Sequence, residues 1–170
     1  YVDAPPGLDR MMAFLDFSLI KPRLHRWKFN LKTGATTEED ICDETIEFGV
    51  INQQIAGIEH RYTYSMIPTK GHFTFDGITK HDHQTKSLSK YLFPEHIFIS
   101  EVSFAPKTSA IDEDDGYLVT ISNDLIENSS SCLLFDAKNI EQGPICNIPL
   151  PHQICSGTHA TWAQKIDLKP

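Results

Sequence analysis

The sequence has no excess of basic residues and no long hydrophobic run. Its 23 aspartates and glutamates outnumber 15 lysines and arginines, which gives a net charge of −8. A nucleic-acid partner is therefore not expected, because phosphate binding needs a basic face. No apolar stretch approaches the ~18 residues of a membrane-spanning helix. The glycine patterns of phosphate loops, dinucleotide-binding folds and G-x-S-x-G hydrolases are also missing.

The cysteines form no C-x-x-C pair, which disfavours a zinc knuckle. A disulfide framework usually has more cysteines in a shorter chain, so we expect free thiols, a reducing compartment and a cytoplasmic location. The first residue is Tyr1 rather than methionine, and we expect the natural N-terminus to lie upstream, so that missing targeting signals mean little. The cysteines are Cys42, Cys132, Cys146 and Cys155.

Short strand-like runs, separated by Gly, Pro, Asp and Asn, make up most of the chain. No interval is long and periodic enough for a crossover helix. The pattern predicts an all-β fold that is mostly antiparallel. The predicted strands cover residues 12–20, 24–31, 44–51, 60–67, 72–81, 88–93, 97–104, 116–122, 131–136 and 145–150.

A weak internal repeat accompanies these strands. Asn30, Asp82 and Asp136 each follow a strand-like run and precede a polar loop, at nearly equal spacing. Asx side chains favour such turns because they bond the nearby backbone. A period near 50, with about four short strands in each unit, is typical of propeller blades. Chance similarity among hairpins is the alternative.

Two glutamates follow the same period. Glu47 and Glu101 are as far apart in sequence as the last two of these Asx residues, and one more equal step reaches Cys155, just before His159. Strand alternation places Glu101 beside Ile99 on an apolar face, where a carboxylate is costly unless it is paired or hydrogen-bonded. Pairing with an arginine or a backbone N–H is one explanation. Equivalent positions in a propeller face a common axis, so a shared site is the other.

Six blocks between residues 24 and 162 carry a family resemblance. They are IEFGVIN (46–52), RYTYSM (61–66), ISEVSFAPK (99–107), EDDGYLV (113–119), LLFDAKNI (133–140) and LPHQICSGTHATW (150–162). In this order and spacing they resemble the C-terminal portion of carotenoid cleavage oxygenases. That family includes stilbene-cleaving dioxygenases and retinoid isomerohydrolases.

The resemblance implies an all-β fold of antiparallel strands, namely about three C-terminal blades of a partial seven-bladed β-propeller. We expect residues 1–170 to form a single domain. In the family, four histidines hold a non-haem Fe(II) on the axis, and glutamates orient three of them. His159 matches the last iron ligand, and Glu47 and Glu101 match two of the orienting acids. We expect Glu101 to hold His159 and Glu47 to hold a ligand upstream of Tyr1, where the other three histidines should lie.

The implied activity is cleavage of a conjugated carbon–carbon double bond of a carotenoid or apocarotenoid by O2, giving two carbonyl products. The fragment alone should be inactive. A lignostilbene or other stilbene substrate is an alternative, and so is a non-catalytic propeller or sandwich that only binds. Membrane contact could come from regions outside this sequence. Gly49, Thr158 and Ala160 depart from the usual family residues, which leaves the substrate open without removing a ligand.

Two further motifs have simpler explanations. HDH at 81–83 has spacing that suits a metal site, but it falls at a predicted hairpin beside lysines, and we predict a solvated turn. DEDDG at 112–116 resembles part of a calcium loop. Its glycine comes too early for an EF-hand and the distal glutamate is missing, so we predict an acidic hairpin.

Overall fold

The structure is a computed structural model that describes residues 20–71, 73–155, 157 and 159–164. These residues form β-strands and two single-turn 3-10 helices, Gln53–Ile55 and Ile140–Gln142. Within them, no helix has the length and apolarity needed to cross a membrane. The strands are β1 (His25–Phe29), β2 (Thr36–Asp40), β3 (Glu47–Val50), β4 (Tyr62–Pro68), β5 (Phe75–Asp82), β6 (Ser87–Leu92), β7 (Ile97–Ile99), β8 (Ser103–Pro106), β9 (Gly116–Asp124), β10 (Ser129–Asp136) and β11 (Pro144–Pro149).

The strands form two four-stranded antiparallel meanders. Strands β3, β4, β5 and β6 make the first, and β8, β9, β10 and β11 make the second. Strand β7 joins them, because it pairs with both β5 and β9. Strands β1 and β2 form a separate hairpin. The predicted all-β antiparallel fold is confirmed, and each meander has the strand count of a propeller blade.

The predicted repeat corresponds to these four-stranded units. Strands β4 and β9 begin at Tyr62 and Gly116, and strands β5 and β10 begin at Phe75 and Ser129. The starts of β4 and β9 are as far apart in sequence as the starts of β5 and β10, and this spacing equals that between Glu47 and Glu101. The described residues therefore contain two complete units. The number of blades in a whole propeller stays a prediction.

The three aligned Asx residues make the same turn. Asn30 follows β1, Asp82 ends β5 and Asp136 ends β10. In each case the side-chain Oδ1 accepts a hydrogen bond from the backbone N–H two residues further on, at 3.0, 2.9 and 2.8 Å. Strands β1 and β2 are thus equivalent to the third and fourth strands of the two complete units.

The predicted strand that contains Glu101 is interrupted. Strand β7 ends at Ile99, opposite Ser122, and β8 begins at Ser103, opposite Val119. The chain therefore advances four residues from Ile99 to Ser103 while its partner β9 advances only three, and the extra residue forms a β-bulge. Glu101 lies in this bulge, so the regular alternation expected along the strand does not apply to it.

A second bulge lies at Glu47. Glu47 is opposite Met66 and Val50 is opposite Tyr64, so β3 advances three residues where its partner β4 advances two. Phe48 in this bulge has a φ of 50°, in the left-handed region that bulky residues rarely adopt. Both glutamates of the repeat therefore lie at an irregularity of the same kind.

Other predicted strands differ from the observed ones in their end residues, and the number of strands also differs. The run predicted at 12–20 lies outside the described residues, except for Ile20. Strand β2 was not predicted, because its sequence TTEED is exposed throughout and has no apolar alternation. Its partner β1 was predicted from its apolar residues.

The two meanders share one hydrophobic core. The Tyr64 ring stacks on Phe104 with centroids 5.7 Å apart, and the Tyr64 hydroxyl donates to the Ala137 carbonyl at 3.1 Å. Burial of this phenol raises its pKa. The largest fully buried apolar side chains are Tyr64, Phe135, Met66, Ile78, Ile99, Leu118, Ile140 and Val102.

A buried ion pair also links the units. The Lys80 ammonium on β5 donates to Asp114 at 2.6 Å and to the Lys138 carbonyl at 3.2 Å. The ammonium lies 4.2 Å from the centre of the Tyr62 ring. Only 9% of the Lys80 side chain and 10% of the Asp114 side chain are exposed, so each charge depends on the other for compensation.

We predict that Asp114→Ala lowers the free energy of unfolding by about 3 kcal/mol, because it leaves a buried ammonium without a counter-ion. Asp112→Ala is the matched control. Asp112 also pairs with a lysine, at 2.8 Å, but 63% of its side chain is exposed, and we expect a loss under about 1 kcal/mol. Denaturant unfolding measures both, and equal losses would contradict the prediction.

Candidate metal centre

The segment after β11 is anchored to the second unit by hydroxyl side chains. The backbone N–H of Ile154 donates to Ser130 Oγ at 2.8 Å, and that of Gly157 donates to Ser100 Oγ at 3.0 Å. Gly157 is packed near the Ser100 side chain, and a Cβ there would lie 3.6 Å from the Ser100 oxygen. Ser156 and Thr158 lie outside the described residues.

Glu101 holds the end of this segment. Its Oε2 accepts a hydrogen bond from the Ala160 backbone N–H at 2.6 Å and lies 3.3 Å from His159 Nδ1. Only 11% of the Glu101 side chain is exposed, against 74% of the His159 side chain. A largely buried carboxylate therefore contacts one edge of an accessible imidazole, as the sequence predicts for this pair.

This contact selects one form of the imidazole. A carboxylate only accepts hydrogen bonds, so Nδ1 of His159 must carry a proton to donate to Glu101. In the neutral ring, the lone pair is then on Nε2, on the opposite side of the imidazole. A carboxylate that engages one nitrogen while the other is free is the usual arrangement around a metal-binding histidine.

Glu47 is connected to this pair by Phe48, the next residue in the chain. The Phe48 ring packs edge to face on His159, with centroids 5.6 Å apart and planes at 84°. The Phe48 backbone N–H donates to Glu47 Oε2 at 3.1 Å. The structure thus brings Glu101 and His159 into contact and places Glu47 beside the residue that packs on the imidazole.

A cavity of about 260 Å³ adjoins the histidine. Its wall is mainly apolar on the side of β9, where Val119 and Ile121 contribute, and Ile154 and Trp162 come from the C-terminal segment. Glu101, His159 and the Cys155 thiol are its lining residues with ionisable side chains. An imidazole at the edge of an apolar cavity can place a bound metal next to an apolar ligand.

The donors present fit one ligand of a metal site rather than a complete site. Across the described ranges, no group of three or more His, Cys, Asp or Glu residues is placed to hold a metal ion. His159 has its Nδ1 engaged and its ring exposed, which suits a single imidazole ligand. The described residues therefore do not complete a metal site around His159.

Comparison with known proteins identifies the family. The family model for RPE65, described as retinal pigment epithelial membrane protein, matches residues 4–164. The chain belongs to the RPE65 family. The predicted membership of the carotenoid cleavage oxygenase group is confirmed, since curated carotenoid cleavage oxygenases match over most of the chain.

Two relatives and one solved structure illustrate the similarity. The chain is 33% identical over 149 residues to a carotenoid cleavage oxygenase of Mycobacterium tuberculosis, covering 84% of this chain and 29% of that protein. It is 29% identical over 158 residues to lignostilbene-alpha,beta-dioxygenase isozyme III of Sphingomonas paucimobilis, covering 84% and 32%. The structure of cobalt-substituted Synechocystis apocarotenoid oxygenase superposes with a TM-score of 0.81 at 25% identity, covering 88% and 32%.

The RPE65-family chain spans about a third of the length of these relatives, between 29% and 32%. It matches them over most of its own length. The cobalt-substituted relative indicates that a metal can be bound in a protein of this fold.

The predicted solvated turn at HDH is wrong. His81 is only 2% exposed at the end of β5, and His83 is half-buried. The His83 ring packs against His81 and His60, with centroids 4.7 and 5.2 Å apart. The hairpin was correctly located, but His81 belongs to the packed end of β5, and His83, the first residue of the turn, packs against it.

Burial keeps His83 neutral, and two polar neighbours fix its tautomer. An Arg26 guanidinium N–H donates to Nδ1 at 3.0 Å, so the ring proton lies on Nε2, which donates to Thr63 Oγ1 at 2.8 Å. Burial lowers the pKa of His83 to about 4, and repulsion from His81, His60 and Arg26 adds to the effect. Burial also lowers the pKa of His81.

The acids of DEDDG also have structural partners. The turn does precede β9, as predicted, but Glu113 accepts hydrogen bonds from the backbone N–H groups of Arg61 and Tyr62 at 2.8 Å each. Asp115 accepts from two amides of its own loop and pairs with Lys138. These bonds hold the pKa of Asp115 well below its usual range. Glu113 therefore connects the second meander to the start of β4, whereas Asp115 stabilises its own loop.

We predict that the protein loses stability as the pH falls from about 6.5 towards 4. His83 is protonated near pH 6.5 in an unfolded chain but only near 4 when folded, so the unfolded state binds more protons in this window. His83→Gln should make the melting temperature less dependent on pH across this range. His152→Gln, at an exposed position, is the control, and an unchanged slope in His83→Gln would contradict the prediction.

Proposed function

We propose that this chain supplies one of four histidine ligands to the Fe(II) of a dioxygenase that cleaves a conjugated double bond of a carotenoid or apocarotenoid. The observation that carries the proposal is the contact between the buried Glu101 carboxylate and Nδ1 of the exposed His159. It fixes the nitrogen that carries the proton and leaves Nε2 as the donor towards a metal. The other three ligands come from sequence outside these 170 residues.

Ferrous iron fits the donor chemistry. Imidazole is a suitable ligand for iron, and neutral imidazoles leave the ion its full charge. The solved cobalt-substituted relative supports a site that takes divalent first-row metals. When bound, the ion supplies the redox chemistry by which both atoms of O2 add across the double bond, which breaks to give two carbonyl products.

The residues of this chain prepare the site. Glu101 holds the His159 proton at Nδ1, and its bond to the Ala160 N–H fixes the backbone beside the ligand. We propose that Glu47 engages a histidine contributed from outside this sequence, in the same way that Glu101 engages His159. Its position one repeat earlier, at the equivalent bulge, supports that role.

The cavity beside His159 favours an apolar substrate. Val119, Ile121, Ile154 and Trp162 supply hydrocarbon and aromatic surface within about 260 Å³. A polyene needs such a surface because it has few hydrogen-bonding groups. The similarity to the Sphingomonas lignostilbene dioxygenase supports a stilbene as the second candidate substrate. A cytoplasmic location, membrane contact outside this region and a single domain over 1–170 stay predictions.

The first test concerns the metal. We predict that the full-length protein carries about one iron per chain, and that His159→Ala lowers iron affinity at least tenfold and abolishes turnover. His96→Ala is the matched control, because His96 also faces a carboxylate, Asp124, at 3.8 Å. Metal analysis and Fe(II) titration measure the effect. Unchanged iron binding by His159→Ala, or a protein that binds no metal, would favour the non-catalytic binding module.

The second test concerns the substrate. We predict that the full-length protein, supplied with Fe(II) and ¹⁸O2, splits one member of a panel of carotenoids, apocarotenoids and stilbenes into two carbonyl products. Mass spectrometry should find one labelled oxygen in each product, because both atoms of O2 are used. Cleavage of stilbenes alone would replace the carotenoid assignment. Incorporation of ¹⁸O into only one of the two products would contradict the proposed dioxygenase reaction.

A further inference from the structure

Phe48 has a backbone conformation that needs an explanation. Its φ of 50° lies in the left-handed region, where a bulky side chain is strained by roughly 1–3 kcal/mol. The other described non-glycine residues with positive φ are Lys86 and Asn128, and both lie in hairpin turns. Phe48 is the exception, since it lies within strand β3.

Three contacts hold Phe48 in this conformation. Its backbone N–H is bonded to the Glu47 carboxylate. Its ring packs on the Phe75 ring with centroids 5.6 Å apart, and it also packs on the His159 ring at the same centroid distance. Phe48 lies in the bulge between Glu47 and Val50, and a bulge turns a side chain out of the regular alternation of a strand. The strained backbone thus directs an aromatic ring at the imidazole.

The imidazole needs a second contact. A single hydrogen bond from Nδ1 to Glu101 fixes one atom of the ring but leaves the ring free to rotate about the line joining the two groups. The long N···O distance of 3.3 Å and the 74% exposure of His159 give little further restraint. An edge-to-face aromatic contact restrains the ring plane, and such pairs contribute about 0.5–1.5 kcal/mol.

We propose that Phe48 is a positioning residue for His159. The Glu101 carboxylate fixes the imidazole at Nδ1, the Phe48 ring fixes its plane, and together they fix the direction of the Nε2 lone pair. Glu47 takes part through the backbone, because it holds Phe48 in the conformation that reaches His159. The inference rests on the proposed role of His159 as a metal ligand.

Cobalt binding to the full-length apoprotein tests this inference without measuring turnover. The visible absorption of bound Co(II) reports both its affinity and its coordination geometry. Phe48→Leu removes the ring and should raise the Kd for Co(II) about tenfold and change the absorption envelope. Phe48→Asn also removes the ring but tolerates left-handed backbone. It should weaken binding similarly and provides a ringless variant if Phe48→Leu does not fold.

Two further variants separate positioning from packing. Phe48→Tyr keeps the ring and should bind Co(II) within about threefold of the unsubstituted protein. Phe135→Leu removes a fully buried ring that packs on Tyr91 and Phe93 instead of His159. It should lower the melting temperature of the apoprotein while leaving the Co(II) Kd within about twofold and the spectrum unchanged.

The outcomes distinguish this inference from the proposed function. If His159→Ala abolishes Co(II) binding while the ringless Phe48 variants bind with unchanged Kd and spectrum, the positioning role is wrong and the ligand role stands. An equal loss of affinity in Phe135→Leu would also overturn the positioning role, since any loss of packing would then suffice. If His159→Ala binds Co(II) normally, the ligand role itself fails.

Discussion

The hydrogen bonds accepted by Glu101 are the constraint on which the candidate site depends. The carboxylate is largely buried, and its Oε2 faces both the Ala160 N–H and the His159 imidazole. It therefore ties the C-terminal segment to the bulge between β7 and β8. Without that tie, an exposed histidine on an irregular segment would have no fixed direction. The cost of burying the carboxylate is offset by the hydrogen bonds that it accepts.

The repeat explains why distant residues share one site. The two four-stranded units follow each other at a constant interval along the sequence, and each has a bulge near its first strand, at Glu47 and at Glu101. A bulge turns a side chain out of the regular alternation of the strand. Because the bulges are equivalent, the two glutamates are presented in a similar way by successive units, and the C-terminal segment brings His159 to the second of them.

Features that depend on a regular pattern could be predicted from sequence. Spacing predicted the repeat, Asx residues predicted the turns after β1, β5 and β10, and apolar runs predicted most strands. The bulges could not be predicted, because an extra residue is visible only when two paired strands are compared. His81 is buried because β4 pairs with β5 beside it, and Glu113 accepts hydrogen bonds from backbone N–H groups at the start of β4. Both contacts come from residues that are far away in sequence. Polarity alone therefore predicted solvent exposure for both.

The partners of the acids separate structural from functional carboxylates. Asp82, Asp114 and Asp115 pair with an arginine or lysine, so their charges are compensated within the fold. Among the described residues, the ion pair that involves Glu101 is with His159 alone. Its partners in the fold are the Ala160 N–H and this imidazole, and neither an arginine nor a lysine pairs with it among the described residues, so it could act on a cation beyond the ring. In the proposed function, a ferrous ion held at Nε2 of a neutral imidazole would supply such a cation, and a histidine under the carboxylate, unlike an arginine, leaves a nitrogen able to hold it.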